Sequence, residues 1–258
     1  MTCLTLPDVT LCAATSVNVD ATVRALLSCT LQVRFADVVL FSDSVPAIAA
    51  PEIRIVPISP LQSGADYSNF ILAELADHVR TSHCLIVQWD GFVLDARQWD
   101  PTFLEYDYVG APWPQFGDGY DVGNGGFSLR SRRLLEACRE PDFSPSHPED
   151  LAIGRHNRAL LERNHSIRFA PRSCAQHFSF ERGVPSGPTF GFHGVFNMIP
   201  AIGRERFWAI YDTLDHRKSA FVDYRQLLSQ AGFSPQGLLR VTRLTADWIG
   251  NAIGRKSA

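Results

Sequence analysis

Two acidic side chains in this sequence stand where carboxylates do chemistry. Asp90 follows an apolar, strand-like run, His83–Val87 and Gln88-Trp89, and is itself followed at once by Gly91. A carboxylate at the carboxyl end of a strand faces the crevice where α/β sheets bind ligands, and a glycine beside it lets another group approach the backbone. Such a position suits a diphosphate, whose charge is commonly neutralised by a hard divalent cation on one or two carboxylates. Capping a turn is the plain structural use of the same residue. The second is Asp150, in Pro148-Glu149-Asp150 ahead of an amphipathic stretch with Leu151, Ile153, Leu160 and Leu161. Acidic residues in a first helical turn favour the helix dipole, which is the structural reading. Beside a site, a carboxylate there could take a proton from an acceptor hydroxyl, an effect worth roughly 10²–10⁴-fold in rate.

Three further stretches could serve such a reaction. Gly123-Asn124-Gly125-Gly126-Phe127 spends three glycines in four positions after Val122, at an entropic cost that makes sense where backbone passes close to a ligand. Asn124 adds a neutral hydrogen-bonding head, and Ser131 is placed to cap the next helix. His193, in Gly191-Phe192-His193-Gly194, could complete a metal site with Asp90 or touch a phosphate. His177 and Glu181 in the nearby HFSFE segment are weaker candidates. In Tyr106–Trp113, Tyr108 and Trp113 could offer stacking platforms to a sugar ring, with packing beneath a loop as the alternative.

These residues need a sheet to hold them. Val9–Ala14, Asp37–Phe41, Glu52–Ile58 and His83–Val87 read as strands, and Asp20 to Val33 and Tyr67 to Val79 carry a helical period. The order β-α-β-β-α-β predicts a mostly parallel sheet flanked by helices. The crevice beyond its strands would then be lined by Thr15-Ser16, Ser42-Asp43 and Gln88–Gly91. Helices are expected at Ser131–Arg139 and Glu149–Asn164, a strand at His165–Ala170, and helices again from Gly203 onward.

Composition narrows the function. A net charge of −3 gives no electrostatic footprint for nucleic acid. The six cysteines show neither C-x-x-C nor zinc spacing, so they read as reduced thiols and point to the cytoplasm. No signal peptide and no apolar run long enough to span a bilayer is visible. G-x-S-x-G, P-loop, H-E-x-x-H and dinucleotide fingerprints are missing from the sequence.

Taken together, QWDGFVLD, FLEYDYVGAPWP, VGNGGFSLRS, PEDLAI and FGFHG, in that order, resemble a bacterial family of GT-A-like glycosyltransferases long catalogued as a domain of unknown function. The similarity runs from about Ser82 to Gly194. It implies a GT-A-like, Rossmann-like domain over residues 1–202, with a helical extension, 203–258, packed on it. It also implies transfer of a sugar from a nucleotide sugar, a UDP-sugar with UDP-galactofuranose among the candidate donors, to a glycan or glycolipid of a bacterial surface polysaccharide. Gln88-Trp89-Asp90 stands where the family fold carries D-x-D, so only the last carboxylate is kept. The resemblance makes Asp90 and His193 ligands of Mn2+ or Mg2+. It sets Gly123–Phe127 by the donor sugar, Gln88 and Trp89 beside it, and Thr15, Ser16, Asp43 and Asn69 around the nucleoside. Glu149-Asp150 becomes the acidic pair of an inverting enzyme, with Asp150 as base. A binding module without activity is the alternative, favoured by the missing first Asp. A nucleotidyltransferase would need a basic glycine-rich loop where ATSVNVD stands. Leu238 to Ile253 reads as an amphipathic helix packing on the catalytic domain, with a peripheral contact to the inner membrane face as its other use.

Overall fold

The computed structural model describes residues 3–232 and 234–254. One compact unit runs through His193 and a second begins at Gly194. The first opens with β1 (Leu4–Ala14), α1 (Val19–Thr30), β2 (Val33–Ser42), β3 (Arg54–Pro57), α2 (Gly64–Asn69) and β4 (His83–Val87). It continues through β5 (Tyr108–Val109), β6 (Ala111–Pro112), β7 (Val122–Gly123), β8 (Phe127–Ser131), α3 (Arg132–Ala137) and α4 (Glu149–Leu151). It closes with α5 (Arg158–His165), α6 (Arg172–Phe178), β9 (Ser179–Phe180) and β10 (Gly191–Phe192). The main sheet has the order β3-β2-β1-β4-β8-β5. Its first four strands are parallel, and β8 runs antiparallel to both β4 and β5. This is the mostly parallel, helix-flanked α/β sheet that the strand and helix periods require.

The central strands are buried on both faces, which is why the second half of β1 and all of β4 read as nearly continuous apolar runs, Thr10 and His83 apart. One core gathers Cys12, Val39, Phe41, Phe70, Leu75, Ile86 and Leu135. A second, around Tyr108, Leu134, Ile153, Leu161 and Phe169, seats the later helices on the antiparallel edge. Ser131 accepts a hydrogen bond from the Leu134 N–H at 3.0 Å and so caps α3 as its sequence position suggests.

Three local expectations are corrected. The stretch Tyr67 to Val79 changes pitch, with α2 passing into a π-helical turn at Phe70–Glu74 and a 3₁₀ turn at Leu75–Asp77. The helix expected over Glu149–Asn164 is likewise split, by a π turn at Ala152–His156. Asn157 accounts for that split: its side-chain amide donates to Ala152 O at 3.0 Å and to Ser144 O at 2.9 Å, entering the helical ladder. The strand expected at His165–Ala170 does not form. Ser166 turns into the left-handed region at φ 54°, and only Phe169 bridges to Tyr108.

The second unit comprises α7 (Val195–Ile202), α8 (Arg204–Tyr211), α9 (Tyr224–Gln230) and α10 (Pro235–Gly254). No helix among the described residues is long and apolar enough to cross a membrane.

Candidate active site

β4 ends in a tight reversal. Gln88 and Gly91 exchange backbone hydrogen bonds of 3.2 and 3.1 Å, leaving Trp89 and Asp90 at the tip. Trp89 turns into the core, and Asp90 points toward His193, whose Nε2 lies 3.6 Å from Asp90 Oδ1. His193 reaches this place because β10 carries it: its N–H donates to Phe180 O at 3.0 Å, while Gly191 bridges to Val93 just beyond the reversal. The ring is gripped at both ends. Nδ1 meets Glu181 Oε1 at 3.1 Å and Nε2 meets Gln88 Oε1 at 3.2 Å. Oxygen acceptors on both ring nitrogens favour the doubly protonated imidazolium. Burial opposes that charge, but Asp90 and Glu181 outweigh it and lift the imidazole pKa to about 9.

The glycine loop explains itself once these neighbours are in place. A Cβ on Gly126 would fall 1.9 Å from His193 Nε2, on Gly125 2.5 Å from Glu149 Oε1, and on Gly123 2.1 Å from the Trp113 indole. The close approach that the sequence suggests is therefore, in this structure, an approach to the protein's own site side chains. Asn124 folds the loop by accepting from the N–H groups of Gly126 and Phe127 at 2.7 and 3.1 Å. Its buried Nδ2 has no hydrogen-bond partner among the described residues.

Beneath the loop lies a buried ion pair. Arg130 on β8 donates from Nη2 to Glu149 Oε1 at 3.0 Å, and both side chains are shut away from solvent. Ser68 on α2 donates to Glu149 Oε2 at 3.3 Å and accepts from the Glu149 N–H at 3.2 Å. Glu149 is thus occupied in holding α4 against β8 and the loop. The next residue, Asp150, is half-buried and within electrostatic reach of His193 and Glu181. Burial, then the neighbouring Glu149 charge, raises its carboxyl pKa to about 6.

The other expected residues divide. Thr15 and Ser16 follow β1, with Ser16 Oγ accepting from the Leu61 N–H at 2.8 Å. Asp43 is exposed just past β2, at the same carboxyl edge of the sheet. Asn69 is exposed at the end of α2, whereas Tyr67 and Ser68 are the residues of that helix that meet Gly125 and Glu149. Tyr108 and Trp113 are buried and have no surface to offer an acceptor. The Tyr108 hydroxyl donates to Asn124 O and accepts from the Asn124 N–H, both at 3.1 Å, while Trp113 fills the slot left by Gly123 and Gly154. Flanking it, Pro112 and Pro114 line an open pocket with Arg172, Gln176, Phe180 and Glu181.

Arg130 was not singled out from the sequence, yet a signal existed. A charged residue inside FSLRS, a strand buried throughout, must find a buried partner or it would not fold there. Glu181 ranks higher in the structure than in the sequence, where nothing marks it as the partner of His193.

The family described as "Protein of unknown function (DUF5672)" matches residues 51–193. The chain belongs to DUF5672. The span matched by DUF5672 begins ahead of β3 and ends on His193, so it contains the β4 reversal, the glycine loop, Glu149-Asp150 and Glu181. No curated protein matches the chain. Similar solved structures include a glycosyltransferase involved in glycosylation of the major capsid of PBCV-1, 12% identical over 80% of this chain and 99% of that one, with a TM-score of 0.46. The mannosyltransferase PcManGT from Pyrobaculum calidifontis, solved with GDP-Man and Mn2+, is 14% identical over 93% and 81%, at 0.42. The apo-form glycosyltransferase GlyE of Streptococcus pneumoniae TIGR4 is 13% identical over 87% and 64%, also at 0.42.

Gly126 offers a direct check on this DUF5672 site. Gly126→Ala should push the imidazole away from Glu181 and Gln88 without unfolding the sheet, lowering the His193 pKa by about one unit or more. Titration of the ring by NMR measures this; an unmoved pKa would show that the loop does not set the ring's position.

Proposed function

We propose that the chain is a glycosyltransferase that moves a sugar from a nucleotide-sugar donor to a saccharide acceptor by a single displacement. One observation carries the reading: the Asp90 reversal, the glycine loop and the acid-led helix meet around His193 within one unit. The acceptor oxygen would bond to the anomeric carbon as the bond to the diphosphate breaks, its electron pair leaving on the diphosphate oxygen. Asp150 would take the hydroxyl proton. A carboxylate whose pKa is raised to about 6 is ionised at neutral pH and still a better base than an ordinary one. Glu149 serves here as the group that positions it. The carboxyl edge of the sheet, with Thr15, Ser16 and Asp43, would receive the nucleoside. Asn124, as buried as Trp113, would set the shape of the loop beside the sugar, and the Pro112–Phe180 pocket would take the acceptor, its apolar faces against the ring and Gln176 and Arg172 at the hydroxyls.

The residues fit a divalent cation, which would take the place of the proton on His193 Nε2. Among the described residues no three His, Cys, Asp or Glu side chains form a ligand set, so the protein would supply two donors, Asp90 and His193. Mg2+ and Mn2+ at nucleotide sites commonly take just one or two protein ligands and complete their shell with phosphate oxygens and water. Glu181 on the far ring nitrogen is the orienting carboxylate that metal-binding histidines require. Such an ion would supply charge neutralisation at the departing diphosphate. The resemblance points to a UDP-sugar as donor, and transfer by one displacement inverts the anomeric centre.

A panel of nucleotide sugars, with and without Mn2+, tests the reading through thermal stabilisation and release of nucleoside diphosphate. At least one donor should stabilise the protein and be consumed. Asp90→Asn should weaken both effects by roughly tenfold or more. Stabilisation without release in the presence of acceptors would instead identify a binding module.

A further inference from the structure

The C-terminal helix buries Leu244 and yet is also apolar along part of the side it turns to solvent. α10 carries three charged side chains in its described length, Arg240, Arg243 and Asp247, spaced along one stripe. All three are engaged by their own unit. Arg240 pairs with Glu205, Arg243 Nη1 lies 2.6 Å from Asp212, and Asp247 accepts from the Tyr211 hydroxyl at 3.0 Å and from Arg217 at 3.1 Å. A second stripe at helical spacing, on the side away from buried Leu244, is Leu239, Thr242, Ala246, Ile249 and Ile253, and every member is exposed. Leu239 is 72% and Ile253 62% exposed, with Leu238 beside them at 65%. Even the hydroxyl of Thr242 is turned back to the helix, donating to Leu238 O at 2.9 Å. From Leu239 to Ile253, about four turns, this stripe holds no charged position, and the exposed Arg243 flanks it.

The segment that bears this face is net basic in sequence. Residues 194–258 hold nine Lys and Arg against five Asp and Glu, whereas residues 1–193 hold fifteen against twenty-two. Tyr224 stacks on Trp248 with ring centroids 4.9 Å apart, and this ties to the helix the segment bearing Val222, 82% exposed, and Arg225. An apolar stripe on a basic unit inside an otherwise acidic chain matches a lipid surface with anionic headgroups: side chains enter the acyl boundary while Lys and Arg meet phosphates.

We propose that the outward face of α10 docks the protein on an anionic membrane surface, lying along it without crossing. This holds whatever the first unit catalyses. Flotation of the full chain with vesicles of phosphatidylglycerol, and separately of phosphatidylcholine, tests it. The chain should float with the first and not the second, and added salt should release it. Leu239→Gln with Ile249→Gln, both at exposed positions and so compatible with folding, should reduce binding roughly tenfold with circular dichroism unchanged. Absence of flotation with phosphatidylglycerol, or equal flotation of the double variant, overturns the proposal. So does a dimer in analytical ultracentrifugation that the double variant dissociates, which would give the face to a second copy of the chain.

Discussion

Asp150→Asn should cost roughly 10²–10⁴-fold in transfer while making the protein more stable at neutral pH. The two effects share one cause. Burial and the Glu149 charge raise the Asp150 pKa from 3.8 to about 6, so the fold prefers the protonated acid. A raised carboxyl pKa contributes stability that is fully present below the unfolded value and is lost as pH rises through the folded one. At pH 7 the ionised group therefore opposes folding, by on the order of 1–3 kcal/mol. Asparagine removes the charge, and the thermal midpoint should rise by a few degrees at pH 7–8 and by far less near pH 4. The wild-type rate should show the matching profile, falling about tenfold per unit below pH 6. Unfolding midpoints at two pH values and a pH–rate series measure both. A variant with full turnover, or one no more stable at pH 8 than at pH 4, would remove Asp150 from the role of base.

Glu149→Gln should do the reverse, damaging the fold first and the reaction through it. The mutation leaves the Arg130 guanidinium in a fully buried strand opposite a neutral amide. Breaking a buried pair from one side costs about 3–5 kcal/mol, because the surviving charge has lost its compensation. Removing both charges together costs far less, so Arg130→Met with Glu149→Leu should recover most of that loss in urea unfolding. The double variant should nonetheless remain slow, because Glu149 Oε1 is the surface on which Gly125 rests and Glu149 leads into Asp150. A single variant within about 1 kcal/mol of the parent would mean that water reaches and compensates the pair. Recovery of stability together with full activity would mean that the pair holds up the fold alone.

These two neighbours show how far sequence reading goes here. PED identifies an acidic helix start, and both carboxylates look alike on paper. Packing separates them: Glu149 turns inward to Arg130 and Ser68, while Asp150 stays at the edge with His193 and Glu181 in its field. Tyr108 and Trp113 make the same point. Aromatic residues among glycines and prolines suggest platforms, but Gly123 and Gly154 leave the slot that receives Trp113, Tyr108 is buried on the Asn124 backbone, and the adjacent prolines face the pocket instead.

What the chain determined by itself was local and periodic. Nearly continuous apolar runs required parallel strands buried on both faces, the β-α-β-β-α-β order set the sheet, and Asp90 fell at a strand's carboxyl end because the run stops there. What only the tertiary structure decided was long-range: that His193, about a hundred residues on, lies against the Asp90 reversal, and that Glu181, Arg130 and Ser68 complete the surroundings. The physical reason is that periodicity reports which side of an element is buried. The identity of the side chain that meets it depends on crossovers and close backbone approaches, for which a sequence carries no period.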